Sequence, residues 1–364
     1  MRAMAEPFKN LLNETVVRDI GARLQRAAPG FARKRFESLA IDGLTALELK
    51  ARAMHLCAAL EATLPGEFEQ AADLLQGAIA GGLTGWALWP VGEYVARHGQ
   101  ARPERALALL HALTQNFTAE WAIRPFIVNH PELSFATLQR WSSDASPHVR
   151  RLVSEGSRPR LPWGLQLKTL VADPSPTRPL LEALLDDESE YVRRSVANHL
   201  NDIAKDHPAL VAEWLERHLP DASPERRALL RHASRSLVKR GDRRVLAAWG
   251  LGARLRGEAT LALAPRRVKL GGAITLAVGL QSSVKRAQSL VVDYTIHHVK
   301  ANGDTTPKVF KGWTLSLAGG EQRSLRKSHA IKPITTRRYF SGTHRVELLV
   351  NGKTVAQASF ELKT

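Results

Sequence analysis

Apolar residues recur at three- and four-residue intervals along the chain to about residue 257, and at intervals of two beyond it. Leu44–Met54 and Pro103–Leu110 carry the first pattern, which predicts helices. Pro103, Pro147, Pro208 and Pro224 stand where helices should begin, at positions where a missing amide costs nothing. Asp144 and Asp221 precede two of those starts as turn or capping residues. After Ala259 the stretches Thr260–Leu263, Ala273–Val278, Ser289–Ile296 and His344–Val350 alternate as strands do. Val350-Asn351-Gly352-Lys353 adds a hairpin signal, since Asn-Gly supplies the positive φ angles of a tight turn. The expected division is therefore a helical part, residues 1–257, and an antiparallel β-sandwich of immunoglobulin-like type, residues 258–364.

The helical part repeats itself. Val149-Arg150-Arg151-Leu152-Val153 returns 43 residues later as Val192-Arg193-Arg194-Ser195-Val196. Asp144-Ala145-Ser146-Pro147 returns unchanged 77 residues on as Asp221-Ala222-Ser223-Pro224, with Asp187-Glu188-Ser189-Glu190 in the same position between them. Recurrence at a few tens of residues, with helical periodicity inside each unit, predicts an α-solenoid. Each unit presents paired arginines near a helix start, where they would meet a phosphate backbone or remain as solvated charges.

Charge favours a polyanionic partner. The chain has 364 residues, a formal charge of +17 and a pI near 10.4, a balance that points to nucleic acid or an anionic surface. Between Arg266 and Arg345 fifteen Lys and Arg face only Asp293, Asp304 and Glu321, a net of +12. In the expected loops of the β region this charge falls on Arg323, Arg326 and Lys327, on Lys332, and on Arg337 and Arg338. These residues predict a second DNA-contacting clamp. The single cysteine, Cys57, excludes an internal disulfide framework and fits a reducing compartment. No signal-peptide core follows Met1, and no window reaches the roughly 18 apolar residues of a membrane span. The expectation is a monomeric cytoplasmic protein with no membrane partner.

Walker loops, zinc-type Cys/His spacings and Gly-x-Ser-x-Gly elbows are all absent, so the motifs offer no metal or cofactor. What stands out is Ser154-Glu155-Gly156-Ser157-Arg158-Pro159-Arg160-Leu161-Pro162-Trp163, where a carboxylate is followed by helix-ending residues and a tryptophan. Glu155 aligns with Asn198 of the next unit, and Asp202 lies one turn further. Glu120 with Trp121 lies 35 residues before Glu155, close to one repeat. Carboxylates at similar points of successive repeats would line one concave surface. A helical carboxylate is nevertheless most often solvated or paired with arginine, and a tryptophan after proline is most often a packed cap.

These same stretches, Glu120–Ile127, Val149–Trp163 and Tyr191–Asp202, resemble the bacterial DNA alkylation repair family of AlkC and AlkD type glycosylases. The AlkC branch is the more similar, and the likeness covers most of residues 1–257. The resemblance implies a mainly α fold, a HEAT-like α-solenoid followed by a C-terminal immunoglobulin-like β-sandwich. It also implies a cofactor-free glycosylase acting on double-stranded DNA. Its substrates would be cationic N3-alkylated bases, 3-methyladenine with 3-methylcytosine as a second. AlkD relatives use an aspartate flanked by tryptophans without turning the base into a pocket. Here Glu155 and Trp163 stand instead, so that triad is not carried over. On this basis Glu155 is the first catalytic carboxylate, with Asp202 and Glu120 supporting it. Trp163 and Trp121 are substrate-binding, and Arg150, Arg151, Arg158, Arg193 and Arg194 contact phosphates or pair with the acids. A non-catalytic DNA-binding solenoid and a protein-interaction scaffold remain the alternatives.

Overall fold

The structure is a computed structural model that describes residues 8–251, 253–333 and 338–364. It divides into two compact units, residues 1–206 and 207–364. In the first unit short helices pack on helices one to three places along the chain, the 14–27 helix on 33–41 and 68–80, and 49–61 on 88–98. This is the solenoid that the repeats predict. Pro103, Pro147, Pro208 and Pro224 all open helices at their first turn.

One expected helix is broken. Leu44–Ala46 forms a 3-10 turn, and the α-helix begins only at Leu49. The cause is Arg52, a buried cation in an apolar run. Its guanidinium donates to the carbonyls of Thr45 at 3.1 Å and Leu47 at 2.9 Å, and to those of Lys9 and Leu12 at 2.9 Å. The Thr45 and Leu47 carbonyls are turned to a side chain, and a buried guanidinium needs such acceptors.

The repeated helix starts share a local design. Asp144 Oδ1 accepts from the Ser146 amide at 2.8 Å, and Asp187 Oδ1 accepts from the Ser189 amide at 2.8 Å. Arg150 then donates back to the carbonyls of Asp144 and Ala145, and Arg193 to those of Asp187 and Glu188. The first arginine of each pair thus closes the turn that precedes its own helix. Arg150 also grips Asp187 of the next unit, with Nε–Oδ2 at 2.6 Å and Nη2–Oδ1 at 3.0 Å. The third copy of the motif behaves differently. There Ser223 is a true N-cap, its side chain accepting from the Arg226 amide at 3.1 Å, whereas Ser146 makes no such bond.

In the second unit the helices 208–218, 224–233, 235–240 and 243–248 precede eight strands. These are β1 (Gly257–Ala264), β2 (Arg267–Lys269), β3 (Ala273–Ser282), β4 (Gln288–Val299), β5 (Thr305–Leu317), β6 (Gln322–Ala330), β7 (Gly342–Val350) and β8 (Lys353–Lys363). They form a three-stranded sheet, β1-β3-β6, and a five-stranded sheet, β2-β8-β7-β4-β5. Inward residues of both sheets, among them Leu276, Ile296, Val346 and Phe360, interdigitate as the sandwich core. The Asn-Gly hairpin joins β7 to β8, with Asn351 and Gly352 at φ of 50° and 74°. Arg323, Arg326 and Lys327, expected in a loop, lie on β6 instead. This strand sits at a sheet edge and alternates exposed with half-buried residues, so it has no apolar run to announce it. Lys332 and Arg338 are exposed between β6 and β7, and Arg337 lies outside the described residues.

Two helices of the first unit, Pro147–Gly156 and Glu190–Asp206, carry the acids Glu155 and Asp202. His199 ties them together: it is wholly buried and its Nδ1 donates to the Ser154 carbonyl at 2.9 Å. Burial drives its pKa from 6.5 to about 3, so the fold holds the neutral ring. The stabilisation this provides is complete above pH 6.5 and is lost as the pH falls toward 3. One such histidine contributes a slope of about 1.4 kcal/mol per pH unit in that window. Urea unfolding from pH 6.5 downward should therefore show a steeper loss of stability for the native chain than for His199→Asn, by close to one proton. Parallel pH profiles for the two proteins would contradict a neutral buried His199.

Candidate active site

The carboxylates Glu120, Glu155 and Asp202 come together as links of one charge chain. Glu120 precedes the 124–129 helix, Glu155 is the penultimate residue of the 147–156 helix, and Asp202 lies on the 190–206 helix packed against it. Arg151 donates to Glu120 and lies 3.6 Å from Glu155. Arg158 donates to Glu155 at 2.5 Å and, through Nε and Nη2, meets Asp202 at 2.8 Å. Lys205 closes the chain on the other Asp202 oxygen at 2.7 Å. Ser195 and Thr118 donate hydroxyls to Glu155 and Glu120 at 2.6 and 2.9 Å. Three acids are thus matched by three cations in a nearly closed space, with side-chain exposures of 11, 7 and 3 % for Glu120, Glu155 and Asp202.

The electrostatics follow from this burial. Desolvation alone would lower the Arg158 pKa, but Glu155 and Asp202 outweigh it and hold the guanidinium above its ordinary value. Arg124, fully buried behind the site, has carbonyls for partners instead of a carboxylate, and desolvation lowers its pKa to about 10. It donates to Gly156 O at 2.8 Å and to Leu165 O. These bonds clamp both ends of the 157–164 loop. Gly156 itself is required by contact, because a Cβ there would come within 2.6 Å of the Ile123 side chain.

The loop presents Trp163, which is 64 % exposed and held at a φ of 63°. Lys50 donates to its carbonyl at 3.3 Å. Trp121 is half-buried; it stacks on Trp89 with ring centroids 4.6 Å apart and donates to Pro162 O at 3.3 Å. Trp121 therefore supports the loop that carries Trp163.

The arginines divide by task. Arg150 and Arg193 are occupied by the turn carbonyls, and Arg158 is enclosed by the two acids. Arg151 additionally lies over the Tyr191 ring at 5.2 Å, and Arg194 is exposed. In the second unit Arg323 pairs with Glu321, Lys327 donates to Lys311 O at 2.7 Å, and Arg326 and Arg338 are exposed. Among the described residues no three His, Cys, Asp or Glu side chains are gathered as a metal site, and no helix is long and apolar enough to cross a membrane.

Several members of the site were not singled out from the sequence: Thr118, Arg124, Tyr191, Ser195, His199 and Lys205. Ser195 had a visible signal, since it replaces the apolar Leu152 of the preceding repeat. Arg124 had another, a cation between Ile123 and Pro125-Phe126-Ile127.

Comparison with known proteins places this geometry in context. Residues 112–237 match the family model "DNA alkylation repair enzyme", and residues 258–364 match the C-terminal Ig-like domain of the uncharacterised protein YhaZ. The uncharacterised protein YhaZ of Bacillus subtilis (strain 168) is 35% identical over 363 residues, covering 98% of this chain and 99% of that protein. The solved structure of Pseudomonas fluorescens alkylpurine DNA glycosylase AlkC, bound to DNA containing an abasic site analog, is similar with a TM-score of 0.92. It is 37% identical and covers 99% of this chain and 100% of its own. The chain belongs to the DNA alkylation repair enzyme family, in the form that carries a C-terminal immunoglobulin-like domain.

Proposed function

We propose that the protein is a DNA glycosylase that removes cationic N3-alkylated bases, 3-methyladenine and 3-methylcytosine, from duplex DNA. The observation that carries this reading is the buried chain of three carboxylates and two arginines, followed on the next loop by an exposed tryptophan, in a chain similar to an alkylpurine DNA glycosylase over its whole length.

The chemistry suits such a site. An N3-alkylated base is already a cation and leaves as a neutral molecule, so no general acid is needed. Positive charge then develops on the sugar near C1′ and O4′. A fixed carboxylate stabilises that charge and orients the attacking water, as in glycoside hydrolysis. Glu155 is our choice for this role, because it is the central acid and both arginines address it. Asp202 and Glu120 hold those arginines in place. Trp163 would meet the DNA at the lesion and favour the sugar cation through its π face. The neutral balance of the cluster keeps the acids from repelling the phosphates on either side. The base need not be turned into a pocket, since leaving-group chemistry supplies the selection.

Glu155→Gln should slow single-turnover excision of 3-methyladenine by at least about tenfold, or roughly 1.4 kcal/mol of barrier. Duplex affinity should stay nearly constant. Excision at the native rate by the folded variant would move the role to Asp202 or Glu120, and no excision by the native chain would favour a binding scaffold.

Substrate range provides a separate check. Duplexes carrying uracil or hypoxanthine, neutral bases on stronger glycosidic bonds, should yield no alkali-labile sites under conditions that release 3-methyladenine. Efficient uracil release would require a base-reading pocket and would overturn the mechanism.

The sandwich is proposed as the second DNA contact, through Arg326 and Arg338. Each phosphate contact adds about 0.9 to the slope of log affinity against log salt. Arg326→Glu combined with Arg338→Glu should therefore weaken duplex binding and flatten that slope by roughly 2. An unchanged slope would assign the face to another partner.

A further inference from the structure

Within the second unit a cavity of about 170 Å³ lies where the 224–233 and 235–240 helices and Trp249 meet β4 and β5. Four cations line it: Arg231, Arg235, Lys239 and Lys311. Among the described residues the charged ends of Arg231, Lys239 and Lys311 have no acceptor at hydrogen-bond or ion-pair distance; Lys311 and Lys239 act on the Asp293 carboxylate only through space, and Arg231 lies over the Trp249 ring at 4.9 Å. Two indoles, Trp249 and Trp313, form its apolar walls. The Trp249 ring is fixed by its Nε1–H, which donates to Ser234 Oγ at 3.0 Å.

One carboxylate, Asp293, also lines the cavity. The β4–β5 pairing shifts between Val292, opposite Trp313, and Asp293, opposite Lys311, so that Gly312 is the extra residue of β5 beside Asp293. Gly312 is the residue the geometry allows, because a Cβ there would stand 2.2 Å from the Val292 carbonyl. Its amide donates to Asp293 Oδ1 at 3.0 Å, the one hydrogen bond of this carboxylate among the described residues. The second oxygen is left to accept.

We infer that this cavity is a nucleotide-binding site, taking one base that carries an exocyclic amino group between indole walls and its phosphate among the cations. Each element of the lining asks for part of that ligand. Cations without acceptors call for an anion; indole faces call for a flat ring. A part-buried carboxylate with an uncommitted oxygen calls for an N–H donor on that ring. The volume is below the roughly 300 Å³ at which drug-sized ligands begin, so one ring enters and the phosphate stays at the mouth. A base-paired duplex cannot enter. The nucleotide is either free or the unpaired end of a strand, and the chemistry of recognition is the same for both. The site lies apart from the carboxylate chain and does not depend on the excision mechanism.

The test is calorimetric titration of the full-length chain with guanosine 5′-monophosphate, thymidine 5′-monophosphate, guanosine and inorganic phosphate. The guanine nucleotide should bind saturably at one site. The other three should each bind about tenfold or more weakly, lacking either the amino donor, the phosphate or the ring. Arg231→Ala and Lys311→Ala, both at exposed side chains, should weaken guanine nucleotide binding severalfold, and Asp293→Asn should erase the preference for guanine over thymine. Excision by Arg231→Ala should equal that of the native chain, which separates this site from the proposed catalytic one. A four-nucleotide strand ending in dG that binds tighter than the mononucleotide, and loses the same factor in Arg231→Ala, identifies a strand end as the ligand. Equal or weaker binding identifies the free nucleotide. Phosphate binding as tightly as the nucleotide would overturn the proposal. So would the absence of saturable nucleotide binding, or affinities unchanged in all three variants.

Discussion

Arg158 stands between Glu155 and Asp202 in a nearly water-free space, and the arrangement of the first unit around it follows from that requirement. An unpaired ion buried there would cost several kcal/mol, and breaking such a pair typically costs about 3–5 kcal/mol. The pair can form only if the 147–156 helix ends where it does and the 190–206 helix runs alongside it. Ser195 and His199 on the second helix reach Glu155 and the Ser154 carbonyl of the first. Gly156 permits the close approach to Ile123 that lets the chain turn and bring Arg158 back over the site. Loop, helix ends and charges are therefore one structural problem with one solution.

On the mechanism proposed above, the same arrangement would reconcile anionic chemistry with a polyanionic ligand. Carboxylates that stabilise a sugar cation would, if solvated and unbalanced, repel the phosphates that flank it. Here Arg151, Arg158 and Lys205 neutralise the three acids as a group, while the acids keep fixed positions. Preorganised charge of this kind needs no reorientation when the transition state forms. Arg124 serves it from behind, holding the loop by two carbonyls so that Trp163 remains outside in a φ that tryptophan seldom adopts.

The repeated Val-Arg-Arg motif shows how one pattern can contain two functions. Its first arginine closes a turn in both copies, because a guanidinium at that position reaches the carbonyls of the preceding turn. The second arginine of the first copy, Arg151, instead reaches the carboxylates and the Tyr191 ring. The Asp-Ala-Ser-Pro tetrapeptide makes the opposite point. Identical residues start helices in both places, yet Asp144 carries the turn in one and Ser223 the cap in the other.

Periodicity alone was enough to divide helices from strands, to locate the proline-led helix starts and to mark the Asn-Gly hairpin, because each rests on local backbone preferences. Recurrence also drew attention to Glu120, Glu155 and Asp202, at or one turn from similar points of successive repeats, but their assignment as site residues came from the family resemblance. Three things were beyond periodicity. Arg52 broke a helix by bonding carbonyls from residues 40 and 43 positions away, and no local pattern records that. Strand β6 was hidden because an edge strand with few buried residues lacks an apolar signal. The partners of the acids, Arg158 above all, were settled by packing: which charges neutralise one another depends on which helices touch, and helices touch through distant apolar faces.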